Sequence, residues 1–358
     1  MIISQLRKAR ELLQLETADV ERSLKLGDGQ VKGWESGKAK PTLSELEQLA
    51  KFYGRDITYF LKETPQYPTQ IQFRSNKKNA FKDLHIEARQ TIAKFDELCR
   101  FAIELEEVTG KKLQVNIHYS NETNPKLVAQ KYRREFNLGE KPTKNLKGLL
   151  ENLGIRIFEL PDSSKSFSGF SLWHREYGPC ILVNYKDTTA GRKNFTLAHE
   201  LYHLTTYRAS PLLCDIESER ESGTDKIEIY ANRFAIELLL PSDSVKRDFE
   251  QHNLSKEPSL RELGNMAGRW GVSVQAIGYR LEELFCIKQG RTNKLLASAE
   301  LPHPRRGKRP PYERKLGEHF VSLAFEAYKG ESISIGRLAQ FLGLDVGKAI
   351  DDFHRRRA

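Results

Sequence analysis

Apolar residues recur at three- and four-residue spacing along most of the chain, and over the first 63 positions they do so in short, separate bursts. Leu6, Ala9, Leu12 and Leu13, then Val20 and Leu24, then Val31 and Trp34, then Leu43, Leu46, Leu49 and Ala50, and last Ile57, Phe60 and Leu61 mark five short helices. Helices this short with tight connections predict a small all-helical bundle. The polar stretch ETPQYPTQ, with two prolines, predicts a linker. From Leu84 to about Gly110 one long amphipathic helix follows, with Ala88, Ile92, Phe95, Leu98, Phe101, Ala102 and Leu105 on its apolar side. It fits a spacer or the contact of a homodimer.

Two more helices are expected between Asn124 and about Asn152. GIRIFEL, SFSGFSLW and GPCILVNY then read as three strands. Helical periodicity returns in FTLAHELYHL (195–204) and in EIYANRFAIELLLP, which runs to Pro241. Leu260 to Leu284 has the shape of a helix-turn-helix, with GVS at the turn. PHPRRGKRPPYERK is a proline-broken cationic linker, and the residues after it form a last helical unit. The pattern predicts an α+β chain divided as follows: a helical domain at 1–63, a linker at 64–83, a connecting helix at 84–123, a core with a small sheet at 124–256, a helix-turn-helix-like segment at 257–301, a basic linker at 302–315 and a helical unit at 316–358.

The chemistry concentrates in one decamer. His199, Glu200 and His203 form an HExxH motif, the signature of a zinc-dependent peptidase. Two histidines four apart share one helical face, so both imidazoles reach one metal. Glu200 stands where its carboxylate takes a proton from water at the metal. Zinc with three protein ligands leaves a fourth position for water and lowers that water's pKa from 15.7 to about 7. Glu228, on the next helix, is the expected third ligand, since Ile227, Ala231, Phe234, Leu238 and Leu239 would pack that helix against the first. Manganese is the alternative metal. A structural zinc site is disfavoured, because Cys99, Cys180, Cys214 and Cys286 form no CxxC pair; isolated thiols fit a reducing cytosol.

Charge and length change this picture modestly. The 358 residues carry a formal net charge of +10, which favours a polyanionic partner, with nucleic acid the first candidate. No apolar run approaches the roughly 18 residues of a membrane span, and MIISQLRKARELL is unlike a secretory signal. A cytoplasmic protein without a membrane partner is expected.

The segment VKGWESGKAKPTLSELEQLAKFYG resembles the phage-repressor-type helix-turn-helix family through Val31, Trp34, Glu35, Gly37 and Pro41. In that fold the third helix enters the major groove, so Asp28, Gln30 and Lys32 would face the DNA, with Gln30 and Lys32 as readers. Four departures stand out: Glu21 replaces a small buried alanine, Lys25 replaces the turn glycine, and Gly29 and Gly33 would weaken the third helix by about 1 kcal/mol each. Asp28 would repel phosphate. A module that docks on another repressor-like protein, or on its own peptidase domain, is the alternative.

The succession FRS (73–75), FSGF (167–170), VN (183–184), FTLAHELYHL and EIYANRFAIELLLP resembles the ImmA/IrrE family of metallopeptidases. The resemblance implies a zincin-like fold with Glu200 as the active-site glutamate and His199, His203 and Glu228 as zinc ligands. It implies a transcriptional repressor as the protein substrate, and it places the 257–301 segment beside the peptidase core rather than on DNA. Tyr202 departs from the family's small residue, with its ring toward the opposite cleft wall or its hydroxyl near the cleft, and Leu240 replaces a methionine. His174, Tyr207 and Tyr230 are oxyanion-stabilising candidates by type only. Cys180 to Tyr185 is expected either as an edge strand that pairs with an extended substrate or as a buried strand whose Asn184 caps the following turn. Two other functions stay open: a DNA-binding regulator using the peptidase fold as a sensor, and a toxin–antitoxin component.

Overall fold

The computed structural model describes residues 2–61, 81–164, 166–186, 188–206, 212–214, 226–298 and 315–357. The linker prolines, the FRS motif, Tyr207 and residues 302–314 of the cationic stretch lie outside the described residues. In chain order the helices are α1 (Ile2–Leu12), α2 (Thr17–Leu24), α3 (Gln30–Glu35), α4 (Leu43–Phe52), α5 (Thr58–Leu61), α6 (Ile86–Thr109), α7 (Pro125–Glu135), α8 (Leu146–Asn152), α9 (Ala190–Thr206), α10 (Lys226–Leu239), α11 (Ser242–Gln251), α12 (Leu260–Trp270), α13 (Val274–Glu283), α14 (Arg291–Ser298), α15 (Glu318–Lys329), α16 (Ile335–Leu342) and α17 (Val346–Arg357). The strands are β1 (Arg156–Leu160), β2 (Gly169–His174), β3 (Gly178–Asn184) and β4 (Leu212–Cys214). The chain is α+β, and among the described residues no helix is long and apolar enough to cross a membrane.

These elements form two compact units. The first joins residues 1–112, 160–166 and 318–358, so segments expected as separate domains share one body. Its helix-turn-helix core gathers Leu6, Ala9, Leu13, Val20, Val31, Trp34, Leu46, Leu49 and Phe60. Arg10 fastens α1 to α3 through two hydrogen bonds to the buried Glu35 carboxylate, at 2.8 and 2.7 Å. The long helix α6 is neither a spacer nor an exposed contact. Ala88, Ile92, Phe95, Leu98, Cys99, Phe101, Ala102 and Leu105 are all buried, and Ala93 packs into the helix-turn-helix core. Gly110, at φ 69°, ends the helix, so 110–123 continues as irregular chain. The closing helices meet this unit through Arg337, which pairs with Glu104, and through Gln340, which donates to Thr58 Oγ1 at 3.1 Å.

The second unit, residues 113–159 and 167–317, is built on a four-stranded sheet in the order β1-β3-β2-β4. Three strands were expected; β4 is only three residues long, too short to leave a periodic signal. The strands β2 and β3 pair antiparallel from Gly169↔Val183 to His174↔Gly178, and β4 pairs with β2 from Gly169↔Cys214 to Ser171↔Leu212. The Cys180–Tyr185 edge is therefore corrected: β3 lies between β1 and β2, and β1 and β4 form the edges. Its near-continuous burial reflects cover on both faces. Asn184 Nδ2 donates to the Phe167 carbonyl, and Asn184 Oδ1 accepts the Lys186 amide.

The helices α9, α10, α12 and α13 share one core with the sheet, and Leu240 is buried within it. The helix-turn-helix-like pair is bonded into that core. A Cβ on Gly191 of α9 would collide with the backbone of Val272 and Ser273, and Asn194 Nδ2 donates to the Gly271 carbonyl at 2.8 Å. Arg280 is almost fully buried, donating to the Leu240 carbonyl and to Glu237. The face α13 presents to solvent, Gln275, Tyr279 and Glu283, carries no cation.

Candidate functional site

Thr189 precedes helix α9 and caps it, its hydroxyl accepting the Arg192 amide at 3.2 Å. It then buries Leu197, Ala198, Leu201 and Leu204. Helix α10 crosses it, with Phe234 packed between Tyr202 (ring centroids 5.4 Å apart) and Tyr132 (6.0 Å). Two guanidinium groups cap the far end of α10: Arg133 donates to the Leu238 carbonyl and Arg280 to that of Leu240. Cations at a helix C-terminus satisfy carbonyls that have no partner within the helix. Glu228 sits in the first turn, at the opposite, electropositive end.

This packing brings His199, His203 and Glu228 together, with one potential ligand atom from each within 4.8 Å of the others. His199 Nε2 lies 3.0 Å from His203 Nε2 and 3.1 Å from Glu228 Oε2, and His203 Nε2 lies 3.2 Å from Glu228 Oε1. Two ligands each about 2.0–2.1 Å from a tetrahedral zinc stand roughly 3.3 Å apart, so the spacing and the two-imidazole, one-carboxylate donor set both fit such an ion. Burial alone would raise the Glu228 carboxyl, but hydrogen bonds from His199 and His203 outweigh it and hold the group well below the usual carboxylate range.

Glu200 is fully buried one residue along α9, beside the start of β2. His174 accepts the amides of Glu176 and Tyr177 at Nδ1 and stacks on the Tyr177 ring, which makes it part of the β2–β3 turn. Tyr230 carries Lys226 over its ring at 5.3 Å. The Tyr202 expectation is corrected, because its hydroxyl donates to the Thr123 carbonyl at 2.6 Å and its ring is buried against Phe234, so it pins the 113–124 segment to α9.

Sequence reasoning missed two residues. Asn232, one turn beyond Glu228, places Oδ1 3.0 Å from His199 Nδ1. Its spacing from Glu228 was the available signal. Gly169 is the second: a Cβ there would collide with the Thr196 methyl and the Leu182 carbonyl. The FSGF motif held it in view without showing what it touches.

In the helix-turn-helix, Gln30 is not the open reader expected. Its Oε1 accepts the Gly27 amide at 2.9 Å and its Nε2 donates to Glu45 Oε1 at 2.8 Å, so both ends of the carboxamide are committed inside the domain. Lys32 is exposed. Glu21 explains its own departure, because its carboxylate accepts the Gly29 and Val31 amides at 3.1 and 2.8 Å and caps α3. Lys25 adopts φ 55° where a turn glycine was expected. Gly29, at φ 76°, precedes α3 instead of weakening it from within.

No curated protein matches the chain. Residues 150–282, which span the sheet, both candidate ligand helices and α13, match the family model described as the IrrE N-terminal-like domain, a peptidase family. Residues 3–60 match the model described as helix-turn-helix. The chain thus joins a helix-turn-helix domain to a domain of the IrrE N-terminal-like peptidase family.

Proposed function

We propose that the chain is a cytoplasmic metallopeptidase that cuts a regulatory protein, with a helix-turn-helix transcriptional repressor as the substrate, in a bacterial stress, mobile-element or phage-related response. The observation that carries this reading is the convergence of His199, His203 and Glu228 beside the buried Glu200. The three ligand side chains hold one divalent ion, Zn²⁺ or Mn²⁺. When bound, the ion supplies Lewis acidity toward a scissile carbonyl and lowers the pKa of water.

The other steps belong to the protein. Glu200 takes a proton from the attacking water on its carboxylate and returns it to the leaving amine, the two roles one carboxyl group fills in succession. Its burial excludes bulk water, which strengthens each charge interaction at the site. Gly169 lets β2 approach α9 closely. Among the described residues β4 is the edge strand beside β2, and its outer side is the one that would offer backbone groups to an extended peptide.

The helix-turn-helix supplies targeting. The exposed Lys32 is the side chain we assign to a phosphate, while the internal bonds of Gln30 and the carboxylate cap of α3 leave little apparatus for reading bases. The experiment is incubation of the metal-loaded protein and its Glu200→Gln variant with a co-encoded helix-turn-helix repressor. Cleavage by the wild type alone supports the reading. Equal cleavage by both, or by neither with the metal bound, contradicts it.

A further inference from the structure

We propose that the cleft between α4 and α6 binds a small zwitterion of the short-peptide class, which puts a ligand on the helix-turn-helix itself. The cleft lies wholly within the first unit and has a volume of about 630 Å³, inside the usual range for small-molecule sites. Its shape is held by the fold. A Cβ on Gly54, at φ 64°, would stand 2.6 Å from the Gln90 carbonyl oxygen, so only glycine lets the turn after α4 meet α6. Beside it the buried Arg55 pairs with the buried Asp96 at 2.7 Å and fastens the same turn to α6. The cleft is therefore preformed, and a ligand need not order it.

The class of ligand follows from the charges left free. Arg55 and Asp56 line the cleft but are committed inside the fold, Arg55 to Asp96 and Asp56 Oδ1 to the Thr58 amide at 2.8 Å. Glu47, Lys51 and Glu87 are exposed and line it with no side-chain hydrogen bond or ion pair among the described residues. Lys94 pairs with Glu97 at 2.7 Å and keeps two further donors. Each wall thus carries one carboxylate and one ammonium: Glu47 and Lys51 one turn apart on α4, Glu87 and Lys94 two turns apart on α6. A polyanion such as a nucleotide would meet a carboxylate on either wall, and a polyamine an ammonium. A molecule with an amine at one end and a carboxylate at the other satisfies both. Ala50, Ile57 and Leu160 add apolar lining for its side chain.

The test is calorimetric titration of the full-length chain, without added metal, with the dipeptide leucyl-alanine and with its N-acetyl and C-terminal amide forms. Hydrogen–deuterium exchange locates the site. The dipeptide should bind with a Kd of about 1 mM or tighter and protect the backbone of 47–57 and 87–94. Blocking either end, or substituting Lys51→Ala or Glu87→Gln, should each weaken binding about tenfold, the loss of one charge-assisted hydrogen bond. Both side chains are exposed, so the variants keep the fold, which circular dichroism checks. No saturable binding, equal binding of the blocked forms, or wild-type affinity in both variants overturns the proposal. Protection confined to α9 and α10 overturns it equally and would place the peptide at the peptidase site instead.

Discussion

Gly169 and Glu200 face each other where β2 meets α9: a Cβ built on Gly169 would stand 3.6 Å from Glu200 Oε1. The same Cβ would collide with the Thr196 methyl and the Leu182 carbonyl, so only glycine lets the strand sit this close. Gly169→Ala must push β2 from α9 and is expected to cost about 1–3 kcal/mol, as overpacking does. Urea denaturation checks the figure. Unchanged stability would mean that the strand yields freely.

Glu200→Gln should abolish proton transfer without disturbing the ligands. Peptidase turnover is expected to fall by at least about 100-fold, the lower range for general acid–base catalysis. Zinc content measured on the same preparation should be unchanged.

Acid stability should depend on Glu282. Burial alone would raise its carboxyl, but hydrogen bonds from Thr292 and Gly290 prevail and hold it below the usual range. A depressed folded pKa means that the stabilisation is complete above the unfolded value of about 4.3 and is lost as pH falls through the folded value. Thermal melts of the second unit should therefore lose this contribution only below about pH 4.3. Glu282→Gln should be less stable at pH 7 and show a flatter acid limb.

In the helix-turn-helix, Glu21→Ala removes the acceptor of two α3 amides and should cost about 1–2 kcal/mol. If DNA is bound, Lys32→Ala should weaken affinity and reduce the salt slope by about 1. Gln30→Ala should leave affinity nearly unchanged. A large, sequence-dependent loss in Gln30→Ala would show that the Gln30–Glu45 bond opens on DNA.

Much of this was legible in the sequence because helices announce themselves by periodicity. The five N-terminal bursts became α1 to α5, and HExxH with the downstream Glu228 marked the residues that converge. What stayed hidden depended on long-range partners. Gln30 looked like a base reader because nothing local reveals Glu45, fifteen residues on. Glu21 looked like a misfit until the α3 amides were placed against it. The position of β3 inside the sheet depended on β1 and β4 flanking the hairpin, and α6 looked like a spacer because its cover comes from the helix-turn-helix core and from residues after 317.

The central claim is that His199, His203 and Glu228 together hold one divalent ion. The most direct measurement is zinc content by elemental analysis after metal reloading, on the wild type beside His199→Ala and Glu228→Ala, with folding checked by circular dichroism. The account predicts one zinc per wild-type chain and its loss from both folded variants. A wild type that cannot be loaded, or variants that keep their full zinc, would contradict it.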